Sequence, residues 1–229
     1  MTTPQYVLVP TPAQDDYFYY AYKGLQSELV EDSPAPPDNG PPPWIDLRDV
    51  MPYNPNPDHP QWPGGSDWAT GAIVDAVTIH HVGVEAATLE GVAAWTTRTQ
   101  ARGGKGLPRL QYHFWVERNG AIKYCTDLRY SFWHDHGGYP SHHLSVVFAG
   151  RCDTTRPPRV QLEAAAHLTR WLLSEFVIDT VNGHREVSGG LTICPGWEHW
   201  EADFRESLST PVSFAVQREV EMCVVQDLE

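Results

Sequence analysis

A strand-like apolar run that ends in two histidines constrains this chain more than any other feature, because the partners its chemistry calls for lie far downstream. Ala72 to Val82 is rich in β-branched residues and reads as a buried strand, with His80-His81 at its end. Much later, Gly183-His184-Arg185-Glu186-Val187-Ser188 is followed by Cys194-Pro195-Gly196 on a loop-like segment between two helical patterns. Two imidazoles and one thiolate make a tetrahedral zinc set with one position left for water, the arrangement of a catalytic zinc. Side chains alternate along a strand, so at most one of His80 and His81 can face such a site. A second chemistry stays open: Cys194 as a nucleophile with a histidine base, its thiolate favoured by a helix that opens at Pro195. Nothing local supplies the third, orienting group that reading needs.

The charge distribution narrows the partners. The chain of 229 residues has a net charge of -13. Residues 1–70 hold Lys23 and Arg48 against ten acids, and from Glu198 onward Arg205 and Arg218 face eight. The acidity belongs to the flanks, and the middle is close to neutral. An acidic chain without a basic stripe argues against nucleic acid. No apolar run reaches the roughly 18 residues of a membrane span, so no membrane insertion is expected. Met1-Thr2-Thr3-Pro4-Gln5-Tyr6 lacks a basic region followed by an apolar core, which predicts synthesis in the cytoplasm without a signal peptide. Cys125, Cys152 and Cys223 read as small buried apolar residues rather than disulfide partners.

Residues 1–43 look separate from the rest. Tyr17, Phe18, Tyr19, Tyr20 and Tyr22 form an aromatic cluster, and Ser33 to Pro43 is too proline-rich for helix or sheet. The cluster either contacts a cell-surface ligand or docks on the main domain. Ordered structure is expected from Trp44, with a proline-rich loop from Pro52 to Gly65. Thr88 to Arg102 has helix composition with Leu89, Val92, Ala93 and Trp95 inward, ended by Gly103-Gly104-Lys105-Gly106. Leu110–Glu117 and Ala121–Thr126 read as strands of a hairpin turning at Asn119-Gly120, and Leu144–Ala149 as another strand. Val160 to Phe176 is the clearest helix, and Pro195 to Ser207 should be the last, with Trp197, Trp200 and Phe204 inward. The order implies an α/β domain with a mixed sheet flanked by helices.

These residues resemble the zinc-dependent N-acetylmuramoyl-L-alanine amidases of the type-2 family, which includes phage lysozyme-type amidases and peptidoglycan recognition proteins. The matching pieces are Thr78-Ile79-His80-His81, Tyr112-His113-Phe114 before Arg118-Asn119-Gly120, and Trp133-His134 before a glycine-rich loop. They continue with Leu144 to Gly150, Gly183-His184-Arg185-Glu186-Val187 and Thr192-Ile193-Cys194-Pro195-Gly196, all in family order over roughly 73–205. The resemblance implies a single mixed β-sheet with helices on both faces and zinc held by His80, His184 and Cys194. It implies a catalytic role for Tyr112, with Thr192 at a position that is lysine in some phage members, and it puts His134 in a loop lining the substrate cleft. His142-His143 stands where relatives tend to have Asn-Ser, which opens that loop to other substrate contacts or to a second metal.

The expected activity is hydrolysis of the amide between N-acetylmuramic acid and L-alanine in bacterial peptidoglycan, by a monomeric phage or prophage endolysin that reaches the wall after release by lysis. The alternative is a peptidoglycan-binding protein without turnover; retention of Cys194 favours the enzyme, since non-enzymatic relatives commonly lose it. Tyr112 hydroxyl would stabilise the oxyanion, and Thr192 hydroxyl would hold the water or the oxyanion. Glu186 either orients a metal ligand or pairs with Arg185 at the surface. The expected layout is an arm over 1–43, a zinc amidase domain over 44–209 with its core at 73–205, and an acidic tail over 210–229.

Overall fold

The structure, a computed structural model, describes residues 40–59, 74–130, 134–135 and 142–209, and the backbone of 5–10 and 18–23. Two strands of the N-terminal segment, β1 (Gln5–Pro10) and β2 (Phe18–Lys23), pair antiparallel with each other. The expected contacts of the aromatic cluster, the proline-rich stretch up to residue 39, Trp133 and the tail from 210 lie outside the described residues.

A six-stranded sheet carries the rest. Its members are β3 (Ile45–Asp46), β4 (Ala76–His81), β5 (Phe114–Val116), β6 (Ile122–Tyr124), β7 (His143–Phe148) and β8 (Val181–Gly183), in the order β3-β6-β5-β7-β4-β8. Only β5 and β6 run antiparallel, joined by the tight Asn119-Gly120 turn with Gly120 at φ 86. β4 lies between two parallel neighbours and is buried along all but its last residue, as the apolar run requires.

Helices cover both faces, so the mixed sheet flanked on both sides is observed. On one face α2 (Arg159–Glu175) and α4 (Trp200–Ser209) bury Leu162, Ala166, Trp200 and Phe204 against Val77, Ile79, Val146 and Phe148. On the other, α1 (Leu89–Thr97) packs Leu89 and Ala93 with Leu110, Tyr112, Trp115 and Val147. Thr88 caps α1 by accepting the Gly91 N–H at 3.1 Å.

Several boundaries differ from expectation, each for a local reason. α1 stops at Thr97, because Arg98 is extended and the loop folds back to give the helix carbonyls new donors: Lys105 N–H bonds to Trp95 O and Leu107 N–H to Thr96 O. A short 3-10 turn at Gln100–Arg102 follows, closed by left-handed Gly103. Trp95 is 46% exposed rather than inward, its ring lying beneath the Lys105 ammonium. α4 begins at Trp200, not Pro195, since Gly196 at φ 115 breaks any helix there. The short edge strands β3 and β8 have no apolar periodicity of their own; pairing to neighbours creates them.

Candidate metal centre

The pleat of β4 separates its two histidines. His81 turns toward the α2 side, where Nδ1 accepts the Cys152 N–H at 3.0 Å. His80 turns toward the α1 side, with its ring centroid 5.3 Å from that of Tyr112. β8 runs beside β4 with Gly183 opposite Ile79, so α3 (His184–Val187), which starts at the next residue, delivers His184 to the end of β4. The His80 and His184 rings lie 4.7 Å apart. Gly183 leaves room for its neighbours: a Cβ there would run into the Glu186 carboxylate and meet Trp200 at 2.7 Å and Pro195 at 2.8 Å.

Cys194 arrives on a loop that Arg185 holds shut. Arg185 N–H bonds to Cys194 O at 2.7 Å, and its guanidinium donates to Ile193 O and Trp197 O. Thr192 Oγ1 accepts the Cys194 N–H at 3.1 Å, bending the chain just before the sulfur. Cys194 Sγ then accepts the His81 N–H at 3.2 Å and sits 3.9 Å from His80 Nδ1. The ligand atoms of His80, His184 and Cys194 lie within 4.8 Å of one another.

The electrostatics suit a cation. Burial, with the neighbouring His134 and His184, drives the His80 imidazole well below its ordinary pKa, against the pull of Asp135; the neutral ring is the form that ligates a metal. Burial pushes the Cys194 thiol up to about 12, so ionising it calls for positive charge at the sulfur. A bound metal ion would supply that charge. The same burial disfavours Cys194 as an independent nucleophile, and no helix starts at Pro195 to lower its pKa. Tyr112 borders the site, and burial, then the charge of Cys194, raises its phenol above the usual value, which keeps it an O–H donor.

Behind His80 lies a second polar cluster. His80 Nε2 is 3.0 Å from His134 Nδ1, which is 2.9 Å from Asp135 Oδ1. Asp135 Oδ2 accepts from His143 Nδ1 at 2.8 Å, and Thr78 Oγ1 lies within hydrogen-bond reach of both. Burial alone would raise the Asp135 carboxyl, but His134, His143 and His80 outweigh it and hold it far below the carboxylate range. His80, His134 and Asp135 form a second group whose ligand atoms lie within 4.8 Å. Both groups share His80 through opposite ring nitrogens: a metal on Nδ1 leaves Nε2 protonated, and the second group then serves as its hydrogen-bond acceptor.

Three residues singled out in the sequence have defined partners here. The His134 ring is buried, with Nε2 donating to His143 O at 3.0 Å. The Glu186 carboxylate accepts the Trp200 indole N–H at 3.3 Å and ties α3 to α4. His143 is held by Asp135 and by Asp75 at 3.4 Å; burial disfavours its charge, but these carboxylates raise its pKa. Asp135 went unnoticed in the sequence, although a carboxylate between two histidines in Trp133-His134-Asp135-His136 was a visible signal.

The profile of the family described as N-acetylmuramoyl-L-alanine amidase matches residues 70–197, more than half of the chain and all of this site. The chain belongs to the N-acetylmuramoyl-L-alanine amidase family. This amidase-family chain also shares its fold with solved structures of low identity. The Ph2119 endolysin from a Thermus scotoductus bacteriophage aligns at 14% identity and TM-score 0.56, covering 73% of this chain and 100% of that one. The endolysin N-acetylmuramoyl-L-alanine amidase LysCS from Clostridium intestinale aligns at 17% and 0.53, covering 73% and 97%. Bumblebee PGRP-SA aligns at 19% and 0.52, covering 68% and 89%. At these identities the likeness bears on fold alone. No curated protein matched the sequence. No described helix is long and apolar enough to cross a membrane.

Proposed function

We propose that this protein hydrolyses the amide between N-acetylmuramic acid and L-alanine in peptidoglycan, as an endolysin, with zinc held by His80, His184 and Cys194. The observation that carries the reading is the convergence of these three side chains within 4.8 Å, together with a neutral His80 and a buried thiol. A nitrogen and sulfur donor set with three protein ligands fits zinc with one open position. The chemistry a bound zinc supplies is a lowered pKa for water and a polarised scissile carbonyl.

The chain's own residues do the rest. As the carbonyl carbon becomes tetrahedral, negative charge grows on its oxygen, and the Tyr112 hydroxyl donates a hydrogen bond to it. Thr192 Oγ1 already accepts the Cys194 N–H, which leaves its hydroxyl hydrogen to donate to the water or the oxyanion. The His81 N–H on Cys194 Sγ and the Arg185 clamp hold the sulfur in place. A second reading, peptidoglycan binding without turnover, draws on fold neighbours such as human PGRP-IβC, solved in complex with glycosamyl muramyl pentapeptide at 16% identity.

Mass spectrometry of purified peptidoglycan after incubation separates the two. Stem peptides released with a free L-alanine amino group, lost on chelation and restored by zinc, are the expected result. Tight binding to peptidoglycan with no new amine, in protein that contains zinc, would establish the binding reading instead.

A further inference from the structure

The ring of His80 has two nitrogens, and the fold treats them very differently. Nδ1 faces Cys194 Sγ at 3.9 Å and the His184 ring, whereas Nε2 points into a closed polar cluster. A lone pair on Nδ1 requires the ring proton on Nε2, and that proton needs an acceptor, because the ring is only 1% exposed. Two atoms are within reach: His134 Nδ1 at 3.0 Å and Asp135 Oδ1 at 3.6 Å. The His134 ring donates through Nε2 to His143 O at 3.0 Å, so in its neutral form Nδ1 is the accepting atom. His134 Nδ1 and Asp135 Oδ1 are 2.9 Å apart, and the His80 N–H lies against both, hydrogen-bonded to the nitrogen at 3.0 Å and attracted by the carboxylate charge at 3.6 Å.

Asp135 is in turn fastened to the strand that carries the ligand. Thr78 stands two residues before His80 on the same face of β4, and its Oγ1 lies 3.3 Å from Asp135 Oδ2. His143, opening the neighbouring strand β7, holds the same oxygen at 2.8 Å. A buried carboxylate is costly unless positive charge answers it. A divalent ion on two neutral imidazoles and one thiolate carries a net charge of +1, and the Asp135 carboxylate, shared with His143, faces that charge across His80.

We propose that Asp135 is a positioning residue for the metal centre: beside His134 it holds the His80 proton on Nε2 and fixes the orientation of the ring, so that Nδ1 is presented to the ion. This rests on His80, His184 and Cys194 being the metal ligands. It makes His134 and Asp135 part of the metal centre.

The test uses the full-length protein. Zinc affinity is measured by competition with a chromophoric chelator in wild type, Asp135→Asn and Cys194→Ser, alongside thermal melts of the metal-free forms. Asn is nearly the size of Asp, but its amide donates to His134 Nδ1 and takes that acceptor from His80. The expected result is a 10- to 100-fold loss of zinc affinity in Asp135→Asn, exceeding what its metal-free melting temperature accounts for. Unchanged affinity in Asp135→Asn, with a large loss in Cys194→Ser, would overturn the positioning role and leave the ligand assignment standing. Unchanged affinity in Cys194→Ser would instead overturn the ligand assignment. Should Asp135→Asn fail to fold, nitrogen-15 NMR of zinc-loaded wild type decides: the His80 proton on Nε2 supports the proposal, and a proton on Nδ1 ends it.

Discussion

Replacing Tyr112 by phenylalanine deletes one hydroxyl and keeps the ring. That ring packs with Leu89, Leu110, Trp115 and Val147 between α1 and the sheet, and phenylalanine preserves these contacts. Burial and the charge of Cys194 keep the phenol protonated well beyond neutrality, so wild type presents a donor over the whole working range. Losing the hydroxyl removes at most about one neutral hydrogen bond, worth about 1 kcal/mol of stability. In a domain of this size that lowers the melting temperature by about 2–4 °C.

Turnover should suffer far more. A donor aimed at charge that develops only in the transition state is worth about 3 kcal/mol, a loss of roughly a hundred- to a thousandfold in kcat. KM and pull-down on insoluble peptidoglycan should hardly move, because the ground state carries no such charge. The assay is steady-state release of peptide from a soluble muramyl peptide, with zinc content measured on the same preparations. Equal kcat at equal zinc content would refute the reasoning and move the donor role to Thr192. Zinc lost in proportion to activity would make Tyr112 a support for the His80 ring, which lies 5.3 Å away.

The adjacent histidines should part company: His80→Ala should lose zinc by elemental analysis. His81→Ala should keep the metal but melt lower, since it strands the Cys152 N–H at a cost of about 1–3 kcal/mol; the reverse pattern would mean a register shifted by one residue. Burial lowers the Lys105 ammonium to about 8, so between there and its unfolded value of about 10.4 the unfolded chain binds more protons and stability rises with pH. Urea titrations should show this rise in wild type relative to Lys105→Met, and parallel curves across that window would refute it. Val177 holds a left-handed φ of 53 after α2 while 91% exposed, with the Ile178 N–H closing on Leu173 O. Val177→Gly should therefore gain about 1 kcal/mol, net of glycine's entropy, and an unchanged or lower melting temperature would count against the strain.

The parts of this site that could be read from sequence are those that obey a period or a fixed turn chemistry. β4 and α2 announce themselves through β-branched residues and helical spacing, and the two-residue alternation of a strand is enough to separate His80 from His81. His184 and Cys194 stand out because an imidazole and a thiol close together on a loop-like segment match what a zinc ion takes. Boundaries failed where tertiary contacts replaced local ones. The Thr88–Arg102 pattern breaks at Thr97 because the loop through Lys105 and Leu107 supplies the donors that another helical turn would have given.

The role of Asp135 could not be read in the same way, and the reason is geometric. Its partners Thr78, His80 and His143 come from two strands, β4 and β7, that become neighbours only when the parallel register sets Ala76 beside His143. A histidine in a glycine-rich loop suggests a residue facing substrate; the carbonyl of His143 on one nitrogen of His134 and His80 on the other, both products of the pairing, are partners that pattern does not announce. The ligands of a metal can be picked out by type because the ion dictates sulfur and nitrogen. The groups that aim a ligand need only accept one proton, which a carbonyl, a carboxylate or an imidazole does equally well. Type therefore carries little information about them, and their identity emerges only from where the sheet puts them.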